Sequence, residues 1–257
     1  MNTLLAGIAV VLAAALASVV GFTVVSRWVP RRLRVADGDA VGTVYSTIGM
    51  VYAILIAIAA IAVWEPRADA ASNTEIEASS LVEAYWSANR LAPADRDDVR
   101  GLIVGYLQVA GGAEWDHLRS ANSGMMTAET LSTELRERVD AVRPATEGEQ
   151  AAHQMLAGQV STAATARRAR IGDADARMPA PLWPILLGGA LVSVGFLYLF
   201  GLRRTIPNGL MFAALGGMVA LMLFVLYQVE LPYSRGFAVE PDALQAALET
   251  LRGANGV

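Results

Sequence analysis

The stretch Val41–Val63, VGTVYSTIGMVYAILIAIAAIAV, runs for twenty-three residues without a charge. A bilayer core about 30 Å thick needs roughly 20 apolar helical residues to cross it. Backbone polar groups cannot go unpaired in lipid, so the run is expected to be a helix. Three other uncharged runs are also long enough to cross: Thr3–Val25, Trp183–Leu202 and Gly209–Val229. They bracket one polar stretch of over a hundred residues. The expected fold is an all-α integral membrane protein. It has four transmembrane helices and a helical-bundle insert of about four helices between the second and third spans. The expected segments are 1–63 (two spans and a short arginine-rich loop), 64–182 (the insert), 183–229 (two spans) and 230–257 (a tail).

Composition agrees with that reading. The chain is 54% hydrophobic, with a mean hydropathy of +0.42, too apolar for an ordinary soluble domain. The absence of cysteine excludes thiolate catalysis, iron–sulfur clusters and disulfides. A net charge of −4 gives no reason to invoke nucleic acid. Every basic residue is arginine, which suits specific guanidinium contacts but equally follows from a codon bias that also enriches alanine. Thr3–Val25 lacks a basic leader and exceeds the roughly 7–15 residues of a signal-peptide core, so an uncleaved first span is expected.

Charge asymmetry orients the spans. The loop Ser26–Ala40 carries Arg27, Arg31, Arg32 and Arg34 against Asp37 and Asp39, and the loop after the third span carries Arg203 and Arg204 with no acid. The insert holds twelve arginines against eighteen acids, a net −6. Short basic loops stay in the cytoplasm. The expected protein is therefore a multi-pass protein of the cell (inner) membrane with both termini and the insert outside.

Within the insert, Pro66 is a residue that can kink or end the helix leaving the second span, but Ala68–Arg90 lacks breakers, so a helix continuing out of the membrane is expected. Beyond it, Ile76, Leu81, Tyr85 and Leu91 are candidates for packing. A second helix is expected from Pro93, proline being favoured in a first turn, with Val99, Leu102, Ile103, Tyr106 and Leu107 at helical spacing. Gly111-Gly112 breaks it. A third fits Ala128–Val142. Thr146-x-x-Glu149 reads as a capping box opening a fourth, which runs through Met155 and Val160 to about Arg170. Pro232, Gly236 and Pro241 suggest a rigid turn in the tail before a short helix, Asp242–Leu251. That tail is expected to pack against the insert or to latch a pore mouth.

Enzyme signals are absent. His117 and His153 are the only histidines and have no carboxylate at ligand spacing, so no metal site is expected. No nucleophile elbow or phosphate loop occurs, and no cofactor is expected. Asp95, Asp97 and Asp98 fit the first turn of a helix, where they complement its dipole. No Asp, Glu, His or Arg lies within the four runs, so a proton-coupled pump has no relay to use. A passive pore needs none, because apolar constrictions gate by dewetting.

The second span is the most patterned. Tyr45, Ile48, Tyr52 and Leu55 recur at helical spacing on one face, among Thr43, Ser46, Thr47, Gly42 and Gly49. That face reads either as a pore lining with an aromatic and aliphatic neck, or as a helix-packing seam.

Two segments carry a resemblance. One is Gly49–Glu65, GMVYAILIAIAAIAVWE, running into Glu77-Ala-Ser-Ser-Leu81. The other is Glu230–Leu244, ELPYSRGFAVEPDAL, with Leu197-Tyr-Leu-Phe-Gly201 closing the third span. With these the chain resembles the bacterial bestrophin-like family from Thr3 to Leu251. Where other members usually have Asp-x-Pro-Phe, this chain has Glu230-Leu-Pro-Tyr233, a change conservative in charge and shape. The resemblance implies a homo-oligomeric anion channel in the lipid bilayer, pentameric if it extends to true bestrophins. Small inorganic anions would pass a neck on the second span, and the Pro232, Tyr233, Gly236 and Pro241 tail would be a family motif. It also implies a cytoplasmic helical domain, opposite to the charge bias. The alternative function is a non-conducting sensor or scaffold whose insert binds a partner.

Overall fold

The computed structural model describes residues 3–28, 38–120, 127–174, 176–198 and 204–255. Among these residues it is entirely helical: α1 (Thr3–Trp28), α2 (Gly38–Ser87), α3 (Pro93–Ala110), α4 (Ala113–Arg119), α5 (Thr127–Ala141), α6 (Glu147–Ala174), α7 (Leu182–Leu197), α8 (Ile206–Val229) and α9 (Asp242–Asn255), with a 3-10 turn at Ala88–Arg90. The chain divides into two compact units. One comprises Met1–Trp64 and Arg177–Glu230; the other comprises Glu65–Ala176 and Leu231–Val257.

In the first unit, α1, the apolar part of α2, and α8 are long and apolar enough to cross a membrane. Helix α7 is equally apolar but has 16 residues. The expected third span reached Leu202, and residues 199–203 lie outside the described ones. So do Arg31, Arg32, Arg34, Asp37 and Arg203 of the two basic loops, and the side chain of Asp39. The described ends of those loops meet, since Arg204 Nε donates to Ser26 Oγ at 2.7 Å. Helices α1 and α8 form the closest seam. Phe22 and Phe212 stack with centroids 4.4 Å apart. A Cβ on Gly216 would stand 2.7 Å from Ser18 Cβ, so only glycine lets these backbones approach. Thr205 caps α8, accepting from the Asn208 amide at 3.4 Å, and Pro207 occupies the first turn.

Pro66 does not end α2. The helix is continuous over 50 residues with Pro66 inside it, and the seam between the two units falls one residue earlier. Proline removes one amide donor from the helix ladder, a loss the rest of this helix tolerates.

The second unit gathers the end of α2 with α3, α5, α6 and α9 round one core, in which α9 lies on α3 and α5 packs on both α3 and α6. Leu81, Tyr85, Leu91, Val99, Ile103, Tyr106, Leu107, Leu135, Val139, Val142 and Val160 are buried there. Leu102 is partly buried against this core, and one packing candidate is not buried: Ile76 is 42% exposed, because it lies on the outer side of its helix. Thr146 accepts from the Glu149 amide at 3.2 Å, and Glu149 reaches back to the Ala145 amide, one residue before the usual capping-box partner. Asp95 and Asp98 do more than complement a dipole. Arg138 of α5 donates to both, at 2.6 and 2.9 Å, and ties α5 to the start of α3.

Alanine at Gly216 is expected to lower stability by about 1–3 kcal/mol, since the seam must open. Alanine at Gly217 meets its first neighbour at an ordinary 3.4 Å and should cost much less. Thermal melts of the two detergent-solubilised variants check this. Equal melting temperatures would show that the seam is not close-packed.

Candidate functional site

In the first unit, the face of α2 bearing Tyr45, Ile48, Tyr52 and Leu55 lies along α7. Tyr45 stacks on Phe196 at 6.5 Å. Tyr52 is 7% exposed; its ring fills the space above Gly189, where a Cβ would come within 2.6 Å, and its hydroxyl donates to the Leu186 carbonyl at 3.2 Å. Ile48, Tyr52 and Leu55 border an open recess of about 360 Å³, together with Thr47, Val51, Ile185, Gly189, Val192 and Ser193. No charged side chain lines it. The opposite face of α2, with Met50, Ile54, Ile58 and Ile61, is exposed. Three of the four sequence-selected residues thus meet at one feature, and Tyr45 stands one turn away. Ser193, a recess residue on a different helix, was not among them. A hydroxyl in an apolar run gives no signal that separates it from a packing residue.

The second unit holds a buried charge cluster that no sequence motif announces. Arg170 of α6 is fully buried and grips Glu77 of α2 side-on, with Nε 2.6 Å from Oε2 and Nη2 3.1 Å from Oε1. The same Nη2 lies 3.3 Å from Glu114 of α4. Arg167, one turn earlier on α6, holds Glu114 with both terminal nitrogens, Nη2 at 2.9 Å, and reaches Glu129 at 3.2 Å. Tyr106 of α3 donates to Glu77. Two guanidiniums face two buried carboxylates, so the centre of the cluster is neutral. The Trp115 ring lies under Arg170 at 5.2 Å. Arg170 Nη1 and Trp115 Nε1 have no hydrogen-bond partner among the described residues.

Burial is the largest influence on the Glu114 carboxyl and pushes its pKa up, but hydrogen bonds and charge from Arg167, the Arg170 charge and the Ala128 amide hold it below the usual value. For Arg167 and Arg170, burial acts first and downward, and their carboxylate partners outweigh it, so both rise. Burial, aided by the Glu77 charge, pushes the Tyr106 phenol well up.

The tail belongs to this unit. Tyr233 is buried with its ring edge-on to Trp115 at 5.2 Å, and its hydroxyl donates to the Arg170 carbonyl at 3.3 Å. The Pro232 carbonyl accepts from the Val239 amide at 2.7 Å, closing the turn that contains exposed Gly236. Buried Pro241 precedes α9, and its carbonyl accepts from Gln245 at 3.0 Å.

Glu77→Gln leaves a buried guanidinium without its counter-charge and should cost about 3–5 kcal/mol. Pairing it with Arg170→Met should recover part of that loss, because an apolar replacement removes the orphaned charge. Denaturant unfolding of the two variants checks this, and additive losses would contradict it.

The pH dependence has a defined sign. Glu114 is depressed in the folded state, so its contribution is present above the unfolded value near 4.3 and is lost as pH falls through the folded value. Tyr106 and Tyr233 are raised, so theirs is complete below about pH 10 and fades as pH climbs towards the folded values. Melting temperature against pH should show a plateau between about pH 5 and 10 with losses on both sides. A maximum at acid pH would contradict this assignment.

No curated protein and no solved structure matches the chain. The family model for the bestrophin-like domain matches residues 12–244, which cover the apolar helices, the insert, the charge cluster and the tail through the start of α9. This chain therefore belongs to the bestrophin-like domain family.

Proposed function

We propose that the chain forms an oligomeric membrane channel for small anions. The four apolar segments α1, α2, α7 and α8 would cross the bacterial inner membrane. The observation that carries the reading is the recess beside α2. Ile48, Tyr52 and Leu55 border it, no charge lines it, and it lies among helices apolar enough to sit in lipid. Family membership points the same way. In the assembled oligomer, Tyr45, Ile48, Tyr52 and Leu55 would form the neck of the conduction path. An uncharged wall of this kind gates by excluding water. The positive-inside bias places the arginine loops in the cytoplasm and the insert outside, and the hydrogen bond between Arg204 and Ser26 supports one shared side for both loops. The tail residues Pro232, Tyr233, Gly236 and Pro241 brace the insert.

A sensor or scaffold is the competing reading. Its support is a groove in the second unit lined by Asn73, half-exposed Ile76, Ser161, Thr162 and Thr165, which suits a partner. It predicts no conduction.

The absence of native cysteine makes the test direct. Single cysteines at Ile48 and Leu55 should let a charged thiol reagent block the current, while cysteines at Ile54 and Ile61 on the opposite face should not. Block only at Ile54 and Ile61 would place the path on the wrong side of α2. Ile48→Ala should raise conductance or loosen gating by widening the neck, as single-channel recording would show.

A further inference from the structure

Three hydroxyl-bearing residues line the recess between α2 and α7: Thr47, Tyr52 and Ser193. Two are committed. Thr47 donates to the Thr43 carbonyl at 3.1 Å, and Tyr52 donates to the Leu186 carbonyl at 3.2 Å. Ser193 differs: it is 5% exposed, and its Oγ has no hydrogen-bond partner among the described residues. A serine in a helix interior ordinarily points to solvent or donates to the carbonyl one turn back; this one does neither. The other lining side chains are Ile48, Val51, Leu55, Ile185 and Val192, and no cation is among them.

We infer that Ser193 is the hydrogen-bond donor that meets an anion in the recess and so sets discrimination between strongly and weakly hydrated anions. The inference rests on the pore reading above. An anion entering an apolar passage gives up water that aliphatic walls cannot replace. Chloride, which is smaller and more strongly hydrated, loses more than iodide. Selectivity along such a path depends on the donors that line it. Its Oγ is itself buried as it stands, and with its proton unspent Ser193 meets the anion by swinging about χ1 to another staggered position at little cost. A hydrogen bond to a full charge is stronger than one to a neutral group. It favours the anion of higher charge density, so Ser193 offsets part of the penalty that the apolar wall imposes on chloride.

Permeability ratios under bi-ionic chloride and iodide conditions test this with the purified full chain in planar bilayers. Ser193→Ala should raise the iodide-to-chloride ratio by roughly three- to tenfold. Ser193→Thr should keep the wild-type ratio, and Ser193→Cys, a weaker donor, should fall between. Ser46→Ala is the control, because that hydroxyl is already committed to the Gly42 carbonyl at 2.9 Å and lies outside the recess lining. A conducting wild type whose ratio is unchanged in Ser193→Ala overturns the inference and leaves the pore standing. A ratio that shifts equally in Ser46→Ala overturns it too. An incorporated wild type that passes no current overturns the pore reading and this inference with it.

Discussion

Arg170 surrenders all of its hydration to lie between Glu77 and Glu114, and the second unit is arranged round that exchange. Removing a guanidinium from water is costly, and only close, well-oriented carboxylates repay it. Glu77 comes from α2, Glu114 from α4 and Tyr106 from α3, while both arginines come from α6. Three helices must therefore arrive in register before the charges balance, and α3 adds the Tyr106 hydrogen bond. Such a cluster is weak evidence for stability in itself, since apolar packing of the same volume is often as good. What it supplies here is a requirement: α2 has one rotational setting in which Glu77 meets Arg170. The tail adds a further tie, because Tyr233 donates to the backbone of the same arginine and packs on Trp115.

The first unit follows a different rule. Its outer faces are apolar and exposed, from Leu4 and Leu5 on α1 to Met218 and Leu221 on α8, as helices require when the surrounding solvent is hydrocarbon. Small residues let helices approach, and aromatic rings fill the space this leaves: Phe22 on Phe212, Tyr198 on Phe212, Tyr52 over Gly189. Helix α2 contributes residues to both units without a break. Ile48, Tyr52 and Leu55 belong to the first unit and Glu77 to the second.

Much of the fold was legible because its signals are local. An uncharged run of bilayer length needs no partner to be recognised, and α3 could be read from Pro93 and the spacing of its apolar residues. The bestrophin-like family was legible from the second apolar run and the tail. Other features depend on contacts between distant residues. Arg167 and Arg170 look in sequence like any solvated pair, and nothing near them names Glu114 or Glu77, which lie 53 and 93 positions away. Helix α4 is only seven residues long and follows a diglycine, so Trp115 and Glu114 read as loop. Ile76 failed as a packing residue because apolar spacing does not say which side of a helix finds a neighbour. The α2 face was legible as a face. That it runs beside α7, with Ser193 across the recess, required the tertiary structure.

The account stands or falls on whether ions cross. The most direct measurement is the reversal potential of the purified protein in a planar bilayer under a KCl gradient. The account predicts a stable current reversing near the chloride equilibrium potential. Reversal near the potassium potential, or incorporated protein that stays silent across voltages and pH, would contradict it.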